Sequence, residues 1–176
     1  MMSPRTTMHE LISKAVDRHS ITNREMAKKV HVDPGQMSRM RSGKRPIHKE
    51  MRIIITGVLK DCRLAFQSAS FDYKVPSFRV DKSLKTDVYH TSWEQRKLEV
   101  KRQKMEPAFN DAVAVDPKYR TAEQIQVIHD YLFEYVSEAS AEQADYITKA
   151  EYAGYSNNDL LSLFNEFNQK FGVVKA

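Results

Sequence analysis

One cysteine, Cys62, stands in 176 residues. That excludes an internal disulfide and makes a reducing compartment the expected setting. Five glycines and six prolines leave little material for flexible linkers or low-complexity tracts. Long apolar runs are missing too. Runs such as Ile53-Ile54-Ile55 fall far short of the roughly 20 residues a membrane helix needs. The N-terminus lacks the apolar core of a signal peptide, so a cytoplasmic protein that meets no membrane is expected. Phosphate-cradling loops of the GxxxxGK[ST] or GxGxxG kind are absent. The six histidines, at 9, 19, 31, 48, 90 and 129, show no spacing that gathers four zinc ligands. Cys62 sits among apolar residues at helical spacing, where a small buried residue is expected rather than a nucleophile. Neither an enzyme, nor a metal site, nor a cofactor is expected.

What the chain does have is charge, unevenly spread. Residues 1–60 hold 13 Lys and Arg against 5 Asp and Glu, a balance of +8. Residues 61–105 hold 10 against 6, and residues 106–176 hold 5 against 12, a balance of −7. The basic front suits a polyanion, because neutralised phosphates release counterions and drive binding. The acidic end is better suited to a protein partner, although opposite charges can also neutralise each other within one fold.

The organising stretch is Thr22 to Pro46, TNREMAKKVHVDPGQMSRMRSGKRP. Met26, Ala27, Val30 and Val32 are spaced to face inward along a short helix and a turn. Asp33-Pro34 starts a second helix, with Asp as N-cap and Pro at the first helical position. Met37 and Met40, three apart, form its inward face. Gly43 stops it, being free to take positive φ. Gln36, Arg39 and Arg41 point outward, with Lys44 and Arg45 just beyond.

At these residues the chain resembles the helix-turn-helix of the Cro and phage-repressor type, the XRE family. Thr22-Asn23 open the first helix, Ala27 stands where two helices pack closely, Val32 lies in the turn, and Met37-Ser38 and Gly43-Lys44 follow at matching offsets. The resemblance runs from Met8 to Leu59. His31 departs from it by standing where the family has Gly, which asks a non-Gly residue for a left-handed conformation. The resemblance implies a lambda-repressor-like domain whose second helix enters a DNA major groove, bound as a dimer to a pseudo-palindrome. Pro34 and Gly35 fall where base-contacting side chains often sit, and neither can donate a side-chain hydrogen bond. Base reading therefore passes to Gln36, Arg39 and Arg41, whose amide and guanidinium groups match adenine and guanine edges. Asn23, Ser38, Lys44 and Arg45 are expected on phosphates.

Around that stretch, Thr7 with Glu10 makes a capping box for a helix buried through Leu11, Ile12, Ala15 and Val16. Residues 1–6 are expected to be unstructured. After Pro46, a single long helix is expected through Ile47, Met51, Ile54, Ile55, Val58, Leu59 and Cys62. Gly57 within it suggests a close helix contact. Phe71 to Val80 alternates apolar and polar, a strand signal interrupted by Pro76. Ser92 is a candidate cap for a charged helix that Pro107 should kink or end. Thr121 with Gln124, Ser140 with Gln143, and Ser156 then start three helices. The first carries a short heptad seam of Ile125, Ile128, Leu132, Tyr135 and Ala139.

The fold expected is mostly α. A four- to five-helix DNA-binding domain spans 7–67, a linker or short β-hairpin 68–91, and an acidic helical dimerisation or partner domain 92–176. Two functions fit. One is a sequence-specific transcriptional regulator, a phage or bacterial repressor that binds double-stranded DNA as a homodimer. The other is a protein-interaction module, such as an antitoxin or phage adaptor, whose C-terminal domain binds a partner.

Overall fold

Thr7 begins the first helix as its capping chemistry requires: its N–H donates to Glu10 Oε2 at 2.9 Å. The computed structural model describes residues 7–77 and 87–172, and among these it holds eight α-helices and no strand. The chain divides into two compact units, Met1–Val80 with Ala153–Ala176, and Asp81–Tyr152.

The first unit contains α1 (Met8–Arg18), α2 (Asn23–Lys29), α3 (Pro34–Arg41), α4 (Lys49–Leu59), α5 (Cys62–Tyr73) and α8 (Asn157–Phe171). Its core is the inward face expected for the early helices: Leu11, Ile12, Ala15 and Val16 meet Met26, Ala27, Met37 and Met40, and α4 and α5 add Ile55, Leu59 and Leu64. Each such large side chain, fully buried, contributes about 1.5–3 kcal/mol of hydrophobic stabilisation. Ile54, expected inside, is exposed. A Cβ built on Gly57 meets nothing within 4 Å, so no close helix contact explains that glycine.

The single helix expected after Pro46 is two. Lys60 takes a left-handed conformation (φ 49°) and ends α4, and the Asp61 side chain caps α5 by accepting from Leu64 N–H at 2.8 Å. Asp61 is only 2% exposed and is held by a bidentate ion pair from Arg18 of α1 at 2.8–3.0 Å. Burial raises the carboxyl's pKa, but the Arg18 hydrogen bonds and the Leu64 N–H outweigh it and hold it below the ordinary range. α5 runs on to Tyr73, so the strand expected over Phe71–Tyr73 is helical instead. The half-buried Asp72 there pairs with Arg52 of α4, whose Nη1 also donates to Ile47 O at 2.6 Å. Residues 74–77 are described and form no strand, while 78–80 of that stretch and the leading residues 1–6 lie outside the described residues.

α8 belongs with this unit rather than with a C-terminal bundle. Ser156 and Asp159 cap it reciprocally. Asn157 Oδ1 accepts from Cys62 N–H at 3.0 Å, Phe164 meets Phe66 edge-on at 6.3 Å, and Leu160 is buried. Phe167 and Phe171 remain in solvent.

The second unit is an antiparallel helical hairpin, α6 (Val88–Val113) and α7 (Ala122–Tyr152), joined through a 3-10 turn at Pro117–Tyr119. The cap of α6 is Asp87, not Ser92: its carboxylate accepts from Tyr89 and His90 N–H at 3.1 and 2.9 Å. α6 continues through Pro107, with Arg102 and Phe109 anchored to α7 on either side of it. Arg120 closes the connection by donating to the carbonyls of Val115 and Val113 at 2.9 and 3.3 Å. Thr121 and Gln124 cap α7 as expected. No break occurs at Ser140. Residues 122–152 hold neither Gly nor Pro, and the Ser137 and Thr148 hydroxyls bond back to the carbonyls of Phe133 and Ala144 at 2.8 Å.

The α6–α7 contact is unusually polar. Arg102 lies between Glu138, Tyr131 (3.2 Å) and Glu106 (3.4 Å), and Lys101 reaches Glu134 at 2.5 Å. Hydrogen bonds to Glu138 and Tyr131 raise the Arg102 pKa further. Thr91 and Ser92 donate to Asp145 at 3.3 and 2.7 Å. Among the described residues of this unit, the buried apolar side chains are Ala112, Tyr131 and Ile147. Of the expected heptad seam, Ile125, Leu132 and Tyr135 are exposed.

Candidate nucleic-acid interface

Local backbone chemistry sets α2 and α3 at a tight turn. The Thr22 N–H donates to Glu25 Oε2 at 2.9 Å, and Glu25 N–H donates to Thr22 Oγ1 at 3.2 Å. The first of these bonds, with the Thr22 hydroxyl, lowers the Glu25 pKa. At the far end of α2 the Val32 N–H reaches Ala27 O at 3.0 Å and the His31 N–H reaches Lys28 O at 3.4 Å. That is a Schellman motif, and His31 fills its left-handed position with φ 55°. Asp33 Oδ1 accepts from Gly35 and Gln36 N–H at 2.8 and 3.3 Å, with Pro34 at the first position of α3. Gly43 leaves α3 with φ 73°, and a Cβ there would lie 2.8 Å from the His9 ring.

The seven expected contact residues separate into two groups. Arg41 is only 17% exposed and faces α1 and α2. Its guanidinium donates to Asn23 Oδ1 and Asp17 Oδ1 at 2.6 Å each, and to Ser13 Oγ at 3.1 and 3.3 Å. Arg41 and Asn23 therefore bond each other, and the arginine joins three helices from one point. Nothing in the spacing of α3 distinguished this arginine from an outward one.

The remaining five lie together at the surface. Gln36 and Arg39 share one side of α3, three residues apart; Gln36 is half-buried and Arg39 exposed. Ser38, Lys44 and Arg45 are exposed around them. From Pro34 to Lys49 the chain holds five Lys and Arg and no Asp or Glu. Among the described residues, no carboxylate pairs with Arg39, Lys44 or Arg45 in an ion pair. These cations are left to solvent or to an anionic ligand. No group of three His, Cys, Asp or Glu side chains is gathered among the described residues, and no described helix is long and apolar enough to cross a membrane.

Comparison with protein-family models, curated proteins and solved structures gives no match.

Proposed function

We propose that the chain is a sequence-specific DNA-binding regulator, a repressor of phage or bacterial type, with α1–α5 as a lambda-repressor-like domain and α3 as its recognition helix. One observation carries this reading. An eight-residue helix, capped at its start and set by a tight turn against α2, presents Gln36 and Arg39 beside a carboxylate-free basic loop. A helix of that size fits a major groove, where an amide matches adenine and a guanidinium matches guanine. Ser38, Lys44 and Arg45 then hold phosphates and fix register. Arg41 and Asn23 act as positioning residues that set the angle of α3.

A homodimer goes with this function, and α7 offers the means. Ile125, His129, Leu132, Val136, Ser140, Gln143 and Ile147 follow one another three or four apart and carry no Asp, Glu, Lys or Arg. Helical geometry puts this stripe on the side of α7 opposite Tyr131 and Glu138, which face α6. Its first half is open, with Leu132 51% exposed and the neighbouring Phe133 62% exposed. Ser140 and Ile147 at its other end are already buried, so it is the open halves around Leu132 and Val136 of two chains that can pair, adding apolar contact to a hairpin with so small an apolar core.

The same apolar face supports a second reading, a protein-interaction module in which α7 holds a different partner and DNA plays no part. Gel shifts over a range of salt separate the two. The regulator gives a steep salt slope together with sequence preference, whereas the interaction module gives no preference over random DNA.

A further inference from the structure

α6 carries a second cationic surface that the α2–α3 reading does not use. Trp93, Arg96, Lys97, Val100, Lys101 and Lys104 line a shallow groove of about 400 Å³ on its outer side. The four cations span nine residues, a rise of about 12 Å. The acids nearby on α6 have contacts other than these four cations. Glu94 lies 4.0 Å from His90, Glu99 accepts from Gln95 and Gln103 at 3.4 and 3.3 Å, and Glu106 pairs with Arg102 at 3.4 Å. Lys101 reaches Glu134 of α7. Among the described residues, Arg96, Lys97 and Lys104 make no ion pair with a carboxylate.

A solvated basic helix face explains the lysines but not the apolar groups set among them. Trp93 is 57% exposed, with the Lys97 ammonium 5.0 Å from its ring centroid and the His90 ring 5.8 Å away, and Val100 two turns on is open as well. A cationic row interleaved with an open indole is what single-stranded nucleic acid requires, because phosphates follow the charges while an unstacked base lies on the ring. Duplex DNA keeps its bases stacked and offers the indole no open base face. An acidic peptide without aromatic side chains has no flat face for the indole.

We propose that this face of α6 binds single-stranded nucleic acid, with one base stacked on Trp93 and the phosphodiester backbone held by Arg96, Lys97 and Lys104. The site is independent of α3 and goes beyond the proposed regulator function.

Trp93 is the one tryptophan of the chain, so the emission of the full-length protein reports on this site. The titrants are a twelve-nucleotide oligo-dT strand, a twelve-base-pair duplex and heparin, each at low salt. Oligo-dT is expected to quench the emission by about half, and heparin to bind without quenching, because stacking needs a base. The variant Arg96→Ala/Lys97→Ala/Lys104→Ala, with helix content checked by circular dichroism, should bind oligo-dT at least about tenfold more weakly. Arg39→Ala/Lys44→Ala should leave the quench unchanged, so failure of the α3 reading and failure of this one look different. Absence of quenching by oligo-dT in the unaltered protein overturns the proposal without reference to any variant. Equal quenching by duplex or heparin, or unchanged affinity in a folded triple variant, overturns it too.

Discussion

Arg41 and Asn23 are bonded to each other, Nη1 to Oδ1 at 2.6 Å, and the same guanidinium holds Asp17 and Ser13 of α1. Position on α3 makes Arg41 look like a reader of bases, but its donors are committed inside the protein. Arg41→Ala should therefore lower stability by about 1–2 kcal/mol, the range for charge-assisted hydrogen bonds that are partly open to water. Thermal or urea unfolding measures the loss. DNA affinity should fall without a change in which bases are preferred. A variant as stable as the original but altered in base preference would return Arg41 to the readers.

The Arg18–Asp61 pair makes the matching prediction for the junction of α4 and α5. Asp61→Ala removes both the cap of α5 and the partner of Arg18, and should cost about 2–4 kcal/mol. The Asp61 pKa is lowered on folding. Its contribution is therefore complete above the unfolded value of about 4 and is lost as the pH falls through the lower folded value. Denaturation followed from pH 6 down to pH 2 should show a smaller acid-induced loss in Asp61→Ala than in the unaltered chain. Parallel curves would show that the pair has no such role.

Two left-handed positions respond in opposite directions to opposite exchanges. His31 sits at φ 55°, so His31→Gly should stabilise the turn by about 0.5–1 kcal/mol, relieving the steric cost of a side chain there. Gly43→Ala meets both φ 73° and the His9 ring, and should destabilise by about 1–2 kcal/mol. Equilibrium unfolding of the pair of variants checks both signs.

The sequence was informative at most of the helix starts, though Asp87 rather than Ser92 caps α6 and Ser140 begins no helix. Thr7, Thr22, Asp33, Thr121 and Ser156 start helices as their capping groups dictate, and the buried faces of α1, α2 and α3 follow from spacing alone. It was silent where a distant residue decides. Leu59 and Cys62 keep helical spacing across the break at Lys60-Asp61, and the reason for the break includes Arg18, 43 residues away from Asp61. Phe71 and Tyr73 alternate with polar residues like a strand, yet Arg52 and Asp72 tie that segment to α4 as helix. The return of α8 to α5 through Asn157 and Phe164 has no local signal. For the candidate site, Arg39, Lys44 and Arg45 were legible as a basic surface, with Gln36 beside them. The inward turn of Arg41 was not, because periodicity says which residues share a face but not which helix lies opposite.

The apolar stripe of α7 predicts an assembly. Leu132→Glu/Val136→Glu puts carboxylates on a charge-free face that makes no use of α6, so each hairpin should keep its helix content while the protein becomes monomeric in sedimentation. DNA affinity should then drop, because two half-sites no longer bind together. Monomeric unaltered protein, or an unchanged dimer in the variant, would remove α7 from this role.

The central claim, that α3 reads DNA sequence, is tested most directly by selecting bound duplexes from a random pool with the full chain, then measuring Arg39→Ala and Lys44→Ala on the selected site. Enrichment of a two-fold related motif is predicted. Arg39→Ala should lose about 1–3 kcal/mol on that site and relax its preference at one position, while Lys44→Ala should weaken all duplexes alike and flatten the salt slope by about one. A pool in which no sequence outcompetes random DNA, or equal and uniform losses from both substitutions, would contradict it.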